Sequence, residues 1–224
     1  MFQGFSNETF EFFMAIRFNN NRAFFHDNHD WYMNAVRRPG LALAEALSPA
    51  IEALDDDLER RPDRVLSRIN RDIRFSNDKS PYRDYIWLGF RGGNDTENNQ
   101  PAPYFELTMD GAAYGYGMYH PNRPMMNGLR QALDADPAEF AGIWTPLAED
   151  FRLYVNPIKR MAVPEGLPEC VKPWYNLRGF YIEKEIRDFD LLKSARLADE
   201  ISEGLRRMTP LYRYMKRLPL PESF

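Results

Sequence analysis

Near residue 65 the hydrophobic period of this chain changes from 3.6 to 2, and by residue 122 it has changed back. That alternation constrains the fold more than any other feature, because helical and strand periodicities cannot serve the same backbone. Before the change, Ser6 is placed to cap a helix carrying Phe10, Phe13 and Met14, with Glu8 in its first turn. "NNNR" interrupts it. Asn21 then caps a second helix on Phe24, Phe25, Trp31, Tyr32, Ala35 and Val36, which Pro39 and Gly40 are expected to end. Leu43, Leu47, Ile51, Leu54 and Leu58 mark a third helix, with Pro49 as a kink or break.

After the change, "VLSRINRDIRF" reads as a strand, with Ile69, Ile73 and Phe75 on one face and Arg68, Asn70, Asp72 and Arg74 on the other. "DYIWLGF" is a second strand, residues 91–103 a polar Gly/Asn/Pro loop. "YFELTMDGAAYGYGMYH" is a hairpin turning at Asp110-Gly111. Helices then open at Asn122 with Pro124 and at Asp136-Pro137, Pro157 to Pro173 is irregular, "RGFYIEKEI" is a last strand, and Ser194 caps a helix on Leu197, Ile201, Leu205 and Met208. Helices first, strands in the middle and helices last predict an α+β fold with a largely antiparallel sheet and the terminal helices packed on it. The expected organisation is one domain over 1–224. It comprises a helical part (1–60), a sheet-rich centre (65–120), a mixed stretch (121–190) and a C-terminal helix (194–218).

Charge is distributed unevenly. The chain carries 29 Lys+Arg against 33 Asp+Glu, a net −4, which argues against a generic nucleic-acid or anionic-membrane binder. Yet "RINRDIRFSNDKSPYRDYIWLGF" concentrates positive charge between apolar residues. Over residues 64–84 six bases (Arg64, Arg68, Arg71, Arg74, Lys79, Arg83) face three acids (Asp72, Asp78, Asp84). One account makes Arg68, Arg74 and Lys79, with Arg71 and Arg83, an anion clamp. Arginine forks hold carboxylate or phosphate in two-pronged fashion, with Asp72 and Asp78 orienting them. Another makes the same residues an ion-pair network pinning strand to loop. A third is a solvated face.

In "GAAYGYGMYHPNR", Gly115 and Gly117 share a face with Tyr119, and Tyr114, Tyr116 and Met118 share the other. Two strand glycines signal close approach of a backbone, a ligand or a bulky side chain. The pattern lacks the context of a dinucleotide fingerprint. His26 and His29 have helical spacing but no ligand set to complete a metal shell, so no metal is expected. Cys170, the single cysteine, excludes a disulfide framework and has no evident partner for thiol catalysis. No signal peptide and no apolar run of membrane-spanning length is evident, so a cytoplasmic protein away from membranes is expected.

"RINRDIRFSNDKSPY" resembles the signature of a family of bacterial and fungal proteins known only as a domain of unknown function, numbered twenty-four sixty-one. The pattern falls on Arg68, Ile69, Arg71, Asp72, Arg74, Phe75, Asp78, Lys79, Pro81 and Tyr82, with Ser80 where the family more often has threonine. "NNNRAFFHDNHDWY", "GYGMYHP" and "FDLLKSARLADEI" resemble its other blocks, so that the likeness runs to about residue 218. The resemblance implies a cytoplasmic, single-domain α+β protein and brings no activity, cofactor or catalytic residue with it.

The functional expectation is recognition of a small phosphate- or carboxylate-bearing ligand, with catalysis on it left open and no cofactor implied. Arg68, Arg71, Asp72, Arg74, Asp78 and Lys79 would form the site, with Tyr82 and Tyr119 as hydrogen-bond donors. The alternative is a module that binds a protein, or less readily a nucleic acid, through the same basic-aromatic surface.

Overall fold

The structure is a computed structural model that describes residues 1–74, 77–92 and 100–218. Phe75 of the expected strand and residues 93–99 of the expected loop lie outside the described residues. Among the described residues ten α-helical segments, one π-helical turn and five strands make up the fold, which is α+β.

Helix α1 (Asn7–Phe18) begins as its cap requires: the Ser6 amide donates to Thr9 Oγ1 at 3.1 Å, and the buried Thr9 hydroxyl donates to the Ala35 carbonyl at 2.6 Å. Its Phe12, Phe13 and Ile16 are buried. Helix α2 (Arg22–Asp27) is capped by Asn21, whose Oδ1 accepts the Phe24 amide at 2.9 Å. It is followed by α3 (His29–Tyr32), a π-helical turn (Met33–Arg37) and α4 (Arg38–Leu54).

Two expectations fail here for physical reasons. Pro39 does not end a helix: α4 runs on from the π-helical turn with helical backbone at Arg37 and Arg38, and the Ala35 carbonyl, four residues before Pro39, takes its hydrogen bond from the Thr9 hydroxyl instead. Gly40 continues that helix because a Cβ would press on Ile86 and Leu66 at 3.2 Å. Pro49 lies within α4 and does not break it.

A third correction matters more. After α5 (Pro62–Val65), the segment expected to be a strand carries no ladder. It is extended chain held by isolated bridges, Leu66 to Leu88 and Asn70 to Tyr82. The Arg71 amide donates to Pro81 O (2.9 Å) and the Arg83 amide to Ile69 O (2.8 Å). Pro81 has no N–H to return, so pairing stops there.

The sheet has strands β1 (Ile86–Gly89), β2 (Ala102–Thr108), β3 (Gly111–Gly117), β4 (Arg152–Tyr154) and β5 (Tyr181–Ile186), in the order β1-β2-β3-β5-β4. The antiparallel β1–β2 register pairs Ile86 with Leu107 and Leu88 with Phe105, all four buried. Gly111 makes the β2–β3 turn at φ +141°. The β4–β5 pair aligns Leu153 with Ile182; β4 has no counterpart among the sequence expectations. Helices α6 (Arg123–Ala135) and α7 (Pro137–Leu147) start at the expected caps. Asn122 Oδ1 accepts the Met125 amide, and Asp136 Oδ1 accepts those of Ala138 and Glu139. After α8 (Lys172–Tyr175) and α9 (Phe189–Leu192), Ser194 Oγ accepts the Arg196 amide at the start of α10 (Arg196–Lys216).

The chain forms two compact units. The first comprises 1–90, 104–114 and 185–203, the second 91–103, 115–184 and 204–224. In the first, the buried set includes Phe12, Phe13, Leu43, Leu47, Ile51, Leu88 and Phe105. In the second, Trp174 packs edge-on against Phe140 and Trp144, with ring centroids 5.0 Å apart in each pair. Arg130 of α6 is buried in the same unit. Its Nε donates to Tyr175 O (2.8 Å), one Nη to Asn127 Oδ1 (2.8 Å) and the other to Leu177 O (2.5 Å). Burial pushes its pKa below the ordinary arginine value.

Candidate functional site

Seven of the eight residues proposed from sequence fall in the first unit, on two extended arms, 66–74 and 77–84. The arms are anchored to α1 and α2 at one point. Asn20 Nδ2 donates to Tyr82 O (2.9 Å), and Asn20 Oδ1 accepts the Tyr82 amide (3.0 Å). The Tyr82 ring is buried and stacks on Phe25, centroids 4.4 Å apart at 26°. Tyr82 is therefore a packing residue that fixes the loop. Tyr119 belongs to the second unit, follows β3, is 79 % exposed and meets His120 edge-on.

The arms divide their charges into two sets. Arg74 closes both prongs on Asp72, Nε to Oδ1 at 3.0 Å and Nη2 to Oδ2 at 2.7 Å, in the open. Arg71 binds Asp78 and lies 3.8 Å from Asp84, and Asp84 in turn lies 3.8 Å from Arg17 of α1. Asp78 also accepts the Ser80 amide at 2.9 Å. The bond from Arg74 holds the Asp72 carboxyl at about 2, and the Ser80 bonds followed by Arg71 hold Asp78 below the usual carboxylate range. Both side chains are more than half exposed, so neither has the burial that would raise a carboxyl above its ordinary range.

All three acids of the segment are thus taken by Arg17, Arg71 and Arg74. Of the four remaining cations, Arg64 and Arg68 are exposed, and Lys79 and Arg83 meet neutral groups. Lys79 Nζ donates to Ile73 O (2.9 Å). Arg83 donates to Arg68 O (3.2 Å) and its guanidinium lies 5.9 Å from the Tyr85 ring centre. Arg68 is exposed, with no side-chain partner among the described residues. The strand-face clamp of Arg68 with Arg74 is replaced by this division, because the segment is not a strand and the Arg74 fork is occupied. Arg83, a secondary candidate in sequence, joins the unneutralised set; Arg17 could have been found only by knowing that α1 ends at the loop.

The other constellations resolve as packing. A Cβ on Gly115 would fall 1.8 Å from Ile182 O, and one on Gly117 2.2 Å from Tyr181 Cβ, so both glycines admit strand β5. Tyr114, Tyr116 and Met118 share the buried face. His26 and His29 are exposed beside Asp27 and Asp30. Cys170 accepts from Thr145 Oγ1 at 3.6 Å. Among the described residues no helix is long and apolar enough to cross a membrane.

No curated protein matches this chain. A family profile described as "Conserved hypothetical protein (DUF2461)" matches residues 8–214. That span covers the Asn20–Tyr82 anchor and both charged arms, and the chain belongs to this family, domain of unknown function 2461.

Proposed function

We propose that the 68–83 loop recognises a phosphate- or carboxylate-bearing ligand, in a protein of the reducing cytoplasm. The observation that carries this reading is the division of charge. Asp72, Asp78 and Asp84 are all engaged by Arg74, Arg71 and Arg17, and Arg68, Lys79 and Arg83 have only neutral partners among the described residues. A stability network would place acids on those cations; a recognition surface leaves them for the ligand. The bridge Arg71–Asp78 links the two arms that present them, whereas Arg74–Asp72 is a local pair within one arm.

Thermal shift at low ionic strength with citrate and pyrophosphate as probes tests this. Both should raise the midpoint, by mass action on the folded state, and salt should suppress the rise. The Lys79→Gln/Arg83→Gln variant should lose the response, whereas Arg74→Gln should keep it. A chain whose midpoint neither probe moves does not use this loop for anions.

A further inference from the structure

On the same unit, α1 leaves a row of large apolar side chains in solvent: Met14 is 50 % exposed and Phe18, one turn on, 79 % exposed. The row continues to the half-buried Phe10, whose ring meets the partly exposed Phe189 edge-on at 5.0 Å. Contiguous exposed apolar rows of this kind mark interaction surfaces.

The carboxyl end of that row runs into the cation loop. Asn20, two residues beyond Phe18, holds both polar groups of the Tyr82 peptide, and Arg83 follows Tyr82 directly. Arg17, beside Phe18, bonds the Met109 sulfur and shares Asp84 with Arg71. The unneutralised cations are anchored at different points of the arm, Lys79 on the carbonyl of residue 73 and Arg83 on that of residue 68, five residues apart in sequence. A single phosphate or carboxylate meets one end of such a row; a chain with spaced charges meets both.

From this juxtaposition we infer that the ligand is an acidic, apolar-bearing peptide segment of another protein. Its Leu-, Phe- or Met-type side chains would lie on Phe18 and Met14, and its Asp or Glu residues along Arg83, Arg68 and Lys79. The inference rests on the anion-recognition reading above. Charge complementarity selects the occupant. The loop's cations attract carboxylates, and Glu8 and Glu11, exposed on α1, set the direction by keeping the acidic end toward the loop. Methionine and phenylalanine on a helix face suit aliphatic side chains better than they suit a run of stacked bases, which call for several aromatic platforms.

The test is selection of a random phage-displayed peptide library on the immobilised full chain, followed by fluorescence anisotropy with the selected peptides. Selected sequences should place Asp or Glu around large apolar residues and bind more weakly as salt rises. Phe18→Ser and Arg68→Gln/Arg83→Gln should each weaken them about tenfold or more, the scale of an interface anchor. Arg187→Gln, an exposed cation already paired with Glu185, should leave affinity unchanged. Circular dichroism checks that each variant is folded. No acidic-apolar consensus, or affinity indifferent to Phe18→Ser, overturns the inference. So does displacement of the peptides by oligo-deoxythymidine at lower concentration, which would make nucleic acid the partner. If citrate and pyrophosphate stabilise the chain while the library gives no such consensus, anion recognition stands and the peptide partner falls. If neither responds, both fall.

Discussion

Arg130 and the arginines of the 68–83 loop are the same side chain used in opposite ways. Arg130 is buried in the second unit and bonded to three uncharged oxygens. It ties α6 to the main chain at Tyr175 and Leu177, and burial makes its charge a cost that only those bonds offset. In the first unit, Arg71 and Arg74 pair with acids in or near solvent, and Arg68 and Arg83 with none among the described residues. A buried guanidinium on neutral acceptors holds structure. Exposed ion pairs set loop shape at little gain in stability, and exposed cations without acids serve something outside the chain.

The largest effect should follow from breaking the buried member. Arg130→Met keeps the bulk and strands the buried Leu177 carbonyl and the part-buried Tyr175 carbonyl, a buried one costing about 1–3 kcal/mol unbonded. A loss of about 3 kcal/mol or more, roughly a 6–12 °C fall in the melting midpoint for a chain this size, is expected by calorimetry. A fall no greater than that of a surface substitution would mean that the neutral cage is not what holds this segment.

Next is the hinge of the contrast, Asn20. Asn20→Ala removes both bonds to the Tyr82 peptide, worth about 1 kcal/mol each, and should lower the midpoint by about 4–8 °C. It should also speed hydrogen exchange at the Tyr82 amide, the group it leaves without an acceptor. Normal exchange there would show that the Phe25–Tyr82 stack holds the loop by itself. By contrast, Arg74→Ala should leave the midpoint unchanged, because both Arg74 and its partner Asp72 are more than half exposed. A fall as large as that of Asn20→Ala would return Arg74 to the structural set and undo the division on which the proposed function stands.

These contrasts also show what the sequence could and could not disclose. The caps at Asn21, Asn122, Asp136 and Ser194 were legible because capping is local chemistry, decided within three residues. The Asp110-Gly111 turn was legible for the same reason. The strand expected at 65–75 was not there, although its alternation of apolar and charged residues was real. Whether an extended arm becomes a ladder depends on its neighbour, and Pro81 in the neighbour lacks the donor. Pro39 misled in the other direction, since the Ala35 carbonyl four residues before it is met by the Thr9 hydroxyl, far off in sequence. The motif located the candidate site, but which of its cations are neutralised depends on Arg17, more than fifty residues away in sequence. Nothing local marks Arg130 at all: a lone arginine in α6 reads as a solvated one until Tyr175 and Leu177 are in place.

The smallest effect is the most specific test of the division. Asp72 titrates at about 2, below its usual 3.8, because Arg74 bonds its charged form. A depressed carboxyl contributes to loop order above its ordinary pKa and loses that contribution as pH falls toward 2. At pH 3 Asp72 should therefore still be mostly ionised, where an unpaired aspartate would be mostly protonated. Side-chain carboxyl NMR shifts followed from neutral pH down to 3 distinguish the two without requiring the fold to survive lower pH. An Asp72 that titrates near 3.8 would mean that the Arg74 fork is open in solution. Arg74 would then join Arg68, Lys79 and Arg83 in facing the ligand, and the row of cations would gain a member midway between Lys79 and the Arg83 end only if Arg74 folds back along the arm. In that event Arg74→Gln should weaken binding of citrate and pyrophosphate as Lys79→Gln/Arg83→Gln does, so the titration and the binding series must agree.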